Sequence, residues 1–283
     1  MEKRMTIPEI VGKKQKGEKI AVLTAYDYPT SAILCEAGID ILLVGDSLAM
    51  VVQGRETTVP VTVEEMIYHS KWVVKANRCA VVVVDMPFLS YEVSIKEAVQ
   101  NAGRIIKESG ADAVKLEGGE EMTPVIRAML KAGIPVMGHI GLTPQSVALF
   151  GGYKVQGKDL QSAKRLIRDA KALEEAGVFS IVLESIPLEV AKIITESIKV
   201  PTIGIGAGPF CDGQVLVTHD MLGIYKGFKP KFVKLYADLH AEMLKAVKKY
   251  ISEVKEGTYP SREYSYSINP EVLKQLEEEL SKD

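Results

Sequence analysis

Two hydrophobic rhythms alternate along this chain, and their alternation predicts the fold. Short apolar runs recur at Ile20–Ala25, Ile41–Val44, Ala80–Val84, Ala113–Glu117, Ile134–Gly138, Phe179–Leu183, Val200–Ile205 and Gln214–Val217. Runs of this kind, with little polar alternation, fit strands buried on both faces of a parallel sheet. Between them lie segments with the apolar spacing of helices: Pro29–Ala37, a segment capped by Thr62 with Glu65 three residues on, Ser94–Ser109, Thr123–Lys131, Gln161–Ala176 and Leu188–Ile198. Gly38, Gly110, Gly133 and Gly177 stand where such helices end. Strands and helices in strict alternation predict an α/β fold, a (β/α)8 TIM barrel. An amphipathic helix over Thr6–Lys16, with Ile7, Ile10 and Val11 on one face, is expected to plug the barrel's bottom. One domain is expected, with the barrel over about residues 18–255 and a C-terminal extension over 256–283. Lys231–Lys255 reads as a long helix and Glu271–Leu280 as a short polar one that packs across a subunit.

Two connections exceed the usual length of roughly two to six residues for this fold class. Ser47–Pro60 is expected to cover the site or touch a neighbouring subunit, and the glycine-rich segment Ile140–Leu160 reads as a second lid.

With 283 residues, 47% of them hydrophobic and 25% charged, the chain can bury one large core. The 35 Lys and Arg against 37 Asp and Glu leave a formal charge of −2, which gives no reason to expect nucleic acid or an acidic membrane as partner. A small-molecule substrate is the expectation. Neither a signal peptide nor a run of about 18 apolar residues is present, so a cytoplasmic location is expected. Cys35, Cys79 and Cys211 lack metal-site or redox spacing and read as reduced structural thiols.

The chemistry gathers at strand ends. Asp46, Asp85, Glu117 and Glu184 each close a predicted strand, and His139 closes a fifth. A single acid there is usually a helix cap or turn residue. Four in one register would converge on one barrel mouth. Clustered carboxylates without cysteine suit a hard divalent cation, so Mg2+ is favoured over zinc, with Asp46, Asp85 and Glu117 as ligands or their anchors. Lys115 shares a strand face with Glu117 and admits three roles: Schiff-base nucleophile, carboxylate-binding cation, or interior ion pair with Glu117. A metal makes the covalent role unnecessary, which favours carboxylate binding. His139 stays open between base, ligand and structural histidine, and Arg55 reads as a surface charge. The glycine run Gly204–Gly208 fits either close approach to a ligand or a tight turn.

Seven stretches together resemble one family: LTAYDYPTSAI at Leu23, LLVGDSLAMVVQGRETTVPVT at Leu42, VVVDMPFLSY at Val82, AVKLEGG at Ala113, VMGHIGLTPQS at Val136, VLESIP at Val182 and IGIGAGPFCDGQVLVTHDMLG at Ile203. They are similar to the ketopantoate hydroxymethyltransferases. The resemblance implies a Mg2+-dependent barrel enzyme of pantothenate and coenzyme A synthesis. It would transfer a hydroxymethyl group from 5,10-methylenetetrahydrofolate to 3-methyl-2-oxobutanoate, giving 2-dehydropantoate. By the same resemblance the metal site maps onto Asp46, Asp85 and Glu117, and substrate contacts onto Asp46, Ser47, Asp85 and Lys115. Glu184 takes the catalytic acid/base role, and a homo-oligomer, commonly a decamer, is implied.

The residues agree with that chemistry, since a 2-oxo acid can chelate magnesium while Lys115 and Ser47 hold its carboxylate and a base forms a metal-bound enolate. The nearest rival is another metal-enolate barrel enzyme, a C–C lyase or phosphoenolpyruvate mutase-like enzyme. A catalytically silent barrel is the other, but it gives no reason for five polar strand ends.

Overall fold

Each apolar run folds as a parallel strand, and together they close a barrel in a computed structural model that describes residues 4–146, 152, 154–227 and 229–282. The strands are β1 (Ile20–Thr24), β2 (Ile41–Val44), β3 (Val81–Asp85), β4 (Ala113–Glu117), β5 (Val136–Gly141), β6 (Ser180–Glu184), β7 (Thr202–Ile205) and β8 (Gly213–Leu216). Each pairs with the next, and β8 pairs with β1. Successive side chains point alternately inward and outward. Ile41, Leu43, Val81, Val83, Met137 and Val215 therefore belong to one cluster filling the barrel. Leu42, Val44, Val82, Val84, Val114 and Leu116 belong to a second, which packs under the helices. This is the (β/α)8 barrel that the alternation predicts.

Around it run α2 (Tyr28–Glu36), the short α3 (Leu48–Val51), α4 (Val63–Ala76), α5 (Ile95–Ser109), α6 (Thr123–Lys131), α7 (Leu160–Ala176), α8 (Leu188–Ser197) and the short α9 (Thr218–Met221). The capping box expected at Thr62 is formed, with the Thr62 hydroxyl accepting from the Glu65 N–H and the Glu65 carboxylate accepting from the Thr62 N–H. Helix α1 (Ile7–Lys16) closes the barrel bottom: Ile10 is wholly buried in the inner cluster, with Ile7 and Val11 packed against it. Ion pairs from Lys13 to Asp40 at 2.7 Å and Lys14 to Asp212 at 2.9 Å hold the helix there.

Three boundaries differ from the sequence reading. β5 begins after Pro135, which has no N–H for the ladder, so His139 lies within the strand rather than after it. The connection after β2 contains α3, which the sequence reading leaves as loop. The helix expected from Lys231 starts only at Leu239, because Phe232 and Val233 turn inward to line the barrel mouth.

The unit containing the barrel ends at Tyr236, and a second compact unit begins at Ala237. That unit carries α10 (Leu239–Glu256) and α11 (Pro270–Leu280), neither of which has a buried residue. Met243, Leu244, Val247, Tyr250, Ile251 and Val254 are exposed at helical spacing along α10. Cys35, Cys79 and Cys211 are free thiols, Cys211 buried and the other two half-buried with their sulfurs in contact. Among the described residues no helix is long and apolar enough to cross a membrane.

Ile10→Ala tests the plug. Truncating a buried isoleucine costs about 2–5 kcal/mol, so the urea midpoint should fall, while activity per folded molecule stays the same because Ile10 lies at the end opposite the mouth.

Candidate active site

The inward register that fills the barrel with valine and isoleucine continues upward into charge. Two residues beyond Val83 comes Asp85, beyond Ala113 come Lys115 and Glu117, beyond Met137 comes His139, and beyond Val182 comes Glu184. Strand pairing sets Asp85 beside Lys115 and Glu117 beside His139, with Glu184 opposite Gly141. Asp46 arrives differently, from the turn after β2, where its N–H donates to Asp85 Oδ2 at 3.1 Å. Gly45 leaves room for the Ser47 hydroxyl, since a Cβ there would stand 2.7 Å from Ser47 Oγ. Just after Glu184, Ser185 has φ of 48°, a conformation that costs a non-glycine residue energy and so marks a constrained turn.

Asp46, Ser47, Asp85, Lys115, Glu117, His139 and Glu184 all line one cavity of about 370 Å3. All the residues singled out in the sequence for chemistry are thus brought together. Its lining is mostly apolar: Leu43 and Val182 of the barrel interior lie beneath the charged groups, and Leu142, Val155, Ile205 and Phe232 also line it. The long connection after β2 contributes Met50, Val51 and Thr58, so it does cover the site. Arg55 is no free surface charge: it fastens that loop to Glu65 at 2.8 Å and to the Pro60 carbonyl at 2.7 Å. The expected second lid contributes Leu142, Pro144, Lys154 and Val155, and its residues 147–151 and 153 lie outside the described residues.

Lys115 Nζ stands 3.0 Å from Asp85 Oδ1 and 3.1 Å from His139 Nδ1. The interior pair suggested with Glu117 is therefore replaced by one with Asp85, the neighbour that strand register supplies. Burial alone would lower the lysine's pKa, but Asp85, Glu117 and Asp46 outweigh it and raise it, so the amine is a cation. A Schiff-base nucleophile needs a neutral amine, and this environment opposes one. Burial pushes Asp85 up to about 6 despite Lys115, with Asp46 pushing the same way. Glu117 is raised well above the usual carboxylate range by burial and by Asp46, against the pull of Lys115. Burial lifts Glu184 to about 7, with Lys115 opposing.

His139 is held neutral, its pKa lowered by burial and then by Lys115. An ammonium can only donate, so Nδ1 accepts from Lys115 and the ring proton sits on Nε2, which faces Glu184 Oε2 at 3.3 Å.

Sequence reasoning missed the tyrosines and the glutamine behind these groups. Tyr26, wholly buried, bonds Ser47 Oγ through its hydroxyl at 2.8 Å, packs against the ring of His219, and meets His69 through its own carbonyl. Gln145 hydrogen-bonds Asp46, and Tyr91 accepts from the Glu117 N–H, both from connections at the mouth end of the strands. A tyrosine directly after an apolar strand was the available signal, because burying its ring obliges the hydroxyl to find a partner. Gly206 and Gly208 adopt positive φ, and a Cβ on them would strike Phe232 and Leu188, so the glycine run is a tight turn.

A closed barrel whose inward register ends in buried carboxylates around a charged lysine defines an enzyme site of the (β/α)8 class. The chain belongs to the ketopantoate hydroxymethyltransferase family, whose model matches residues 4–262. It is 58% identical over 273 residues to the 3-methyl-2-oxobutanoate hydroxymethyltransferase of Syntrophomonas wolfei, covering 96% of this chain and 99% of that protein. With the enzyme of the same name from Moorella thermoacetica it shares 56% identity, over 93% and 98% of the two chains. Among solved structures it resembles a phosphonopyruvate hydrolase complexed with oxalate and Mg2+ (TM-score 0.61, 12% identity, 98% of each chain). It also resembles 2,3-dimethylmalate lyase, a PEP mutase/isocitrate lyase superfamily member (TM-score 0.58, 16% identity, 98% and 97%). At those identities the likeness is one of fold.

Glu184 makes stability depend on pH. Its folded pKa of about 7 exceeds the ordinary 4.5, so between those values the folded state holds a proton that the unfolded state lacks, and stability falls as pH rises. The loss is at most about 3 kcal/mol. Glu184→Gln should abolish this component, narrowing the fall in urea midpoint between pH 5 and pH 8 relative to the wild type.

Proposed function

We propose that the protein transfers a hydroxymethyl group from 5,10-methylenetetrahydrofolate to 3-methyl-2-oxobutanoate, giving 2-dehydropantoate for pantothenate and coenzyme A synthesis. The observation that carries this reading is the ion pair of a charged, carboxylate-surrounded Lys115 with Asp85, with Asp46 lining the same apolar-walled cavity. A branched 2-oxo acid has matching parts: a carboxylate for Lys115, a chelating keto oxygen, and methyl groups for walls such as Leu43, Val182 and Val215.

The site's charge balance fits Mg2+. Asp46, Asp85, Glu117 and Glu184 are four acids around one lysine, with His139 neutral, so the cluster would carry excess negative charge once its acids gave up their protons. Among the described residues no three His, Cys, Asp or Glu side chains form a ready-made cage. Magnesium needs none, because it binds through one or two carboxylates and completes its shell with water and substrate oxygens. Asp46 and Asp85 would hold it, with Glu117 anchoring from behind. When bound, the cation would draw electrons from the 2-oxo group and acidify the neighbouring carbon.

The chain's own groups supply the rest. Lys115 and the Ser47 hydroxyl, itself fixed by Tyr26, bind the substrate carboxylate. Glu184 takes the proton from the third carbon, and its raised pKa suits that task near neutral pH. Neutral His139 lies beside the base, its Nε2 3.3 Å from Glu184 Oε2 with no hydrogen bond formed between them. The freed carbon pair bonds to the folate methylene carbon as that carbon's two bonds to folate nitrogens break, water supplies the new hydroxyl, and the proton taken by Glu184 and one water proton pass to those nitrogens of the departing tetrahydrofolate. Apolar walls exclude competing water. A homo-oligomer in the cytoplasm is part of the same proposal, and the exposed apolar stripe on α10 supports self-association with a second copy.

Formation of 2-dehydropantoate from both substrates, with and without chelator, tests the reading: turnover should require both, and stop with chelator. Lys115→Ala should raise KM for the oxo acid strongly, and borohydride should trap no adduct on Lys115 in the wild type. Glu184→Gln should slow exchange of the third-carbon proton in deuterated water by about 10²- to 10⁴-fold while leaving oxo-acid affinity nearly intact. Full exchange with transfer lost would assign Glu184 to the folate half-reaction and turn attention to His139.

A further inference from the structure

Gln145 sits in the 3-10 turn Pro144–Ser146 after β5, and every polar atom of its side chain is engaged in a buried network. Its Nε2 donates to Asp46 Oδ2 at 2.9 Å and to the Met86 carbonyl at 2.9 Å. Its Oε1 accepts from the Tyr91 hydroxyl at 2.7 Å, and its backbone N–H donates to Glu117 Oε2 at 3.1 Å. The Glu117 N–H in turn donates to the Tyr91 oxygen at 3.2 Å. From these contacts, we propose that Gln145 is a positioning residue which fixes the Asp46 carboxylate for cation binding, with Tyr91 locking the Gln145 amide.

The network admits one orientation. A carbonyl and a carboxylate only accept, so the amide nitrogen must face Met86 and Asp46. The amide oxygen then faces Tyr91, which already receives the Glu117 N–H and is left with its own proton to give. No partner can flip without breaking another bond.

Asp46 needs such a lock more than its neighbours do. Asp85 and Glu117 are held by strand ladders, whereas Asp46 lies in a turn and is tied to Asp85 only through its backbone N–H. A rotating carboxylate would lose its freedom on meeting a cation, and fixing it beforehand removes that cost. A neutral amide does this without cancelling the negative charge, as a lysine or arginine would. The same turn contacts Glu117, so one residue bonds two carboxylates that come from β4 and from the turn after β2, on either side of β3.

This role rests on the reading of Asp46 as a cation-binding group. Titrating metal-free protein with magnesium alone, by calorimetry at fixed pH, tests it apart from turnover. Gln145→Met keeps the volume and removes the amide, and Tyr91→Phe keeps the ring and removes the lock. Gln145→Met should weaken magnesium binding by about 10- to 100-fold, and Tyr91→Phe by a smaller factor in the same direction, with KM for the oxo acid rising in parallel. A purely structural role would lower melting temperature and leave affinity alone. Folded variants that both bind magnesium as the wild type does would overturn the proposal, and Tyr91→Phe decides alone if Gln145→Met does not fold. A wild type that binds no magnesium would instead remove the metal reading and this role with it.

Discussion

Gathering four carboxylates, three buried and Glu184 half-buried, at one barrel mouth is the costliest thing this barrel does. Asp46, Asp85, Glu117 and Glu184 leave water at the end of an apolar interior, and Lys115 is the cation set among them. Isolated charges in such a place are strongly disfavoured, and a paired one rarely adds net stability. The protein answers in three ways visible in its geometry. Burial raises Asp85, Glu117 and Glu184, so they retain protons to higher pH. Lys115 is held charged against Asp85, and N–H groups of Asp46 and Gln145 donate to the acids. In the proposed function, a cluster kept at that cost receives an incoming positive charge.

Much of this was legible in the chain before any coordinates. The apolar runs marked the strands, and the period of two placed Lys115 and Glu117 on one inward face, because that alternation is set by local backbone geometry. Asp85 and Glu184 followed from the same register. What local pattern does not carry is which strand end meets which. The pairing of Lys115 with Asp85 rather than Glu117 comes from alignment between β3 and β4, a relation spread over thirty positions of sequence. The supporting network of Tyr26, Tyr91 and Gln145 was invisible for the same reason. Gln145 lies in an aperiodic loop and meets Asp46, 99 residues away. Phe232 and Val233 misled the helix boundary since apolar residues after Pro230 read as helix, while their burial is against the barrel mouth.

The division of labour in the cavity follows from where each element delivers its residues. Strands supply the groups that must not move, namely Asp85, Lys115, Glu117, His139 and Glu184. Turns supply Asp46 and Ser47, which therefore require outside support from Gln145 and Tyr26. The loops above supply apolar walls that strengthen every electrostatic interaction below by excluding water. In the proposed function, such a layout suits a small anionic substrate held at the base with a larger second substrate entering from above.

In the proposed function these carboxylates, which burial makes hold protons to higher pH, would give those protons up to an arriving divalent cation. Calorimetric titration of the metal-free protein with magnesium near pH 6.5, repeated in buffers of different ionisation enthalpy, counts those protons directly. The account predicts net proton release on binding and tighter binding as pH rises. Binding with no proton release, and with affinity independent of pH between 5.5 and 8, would contradict it.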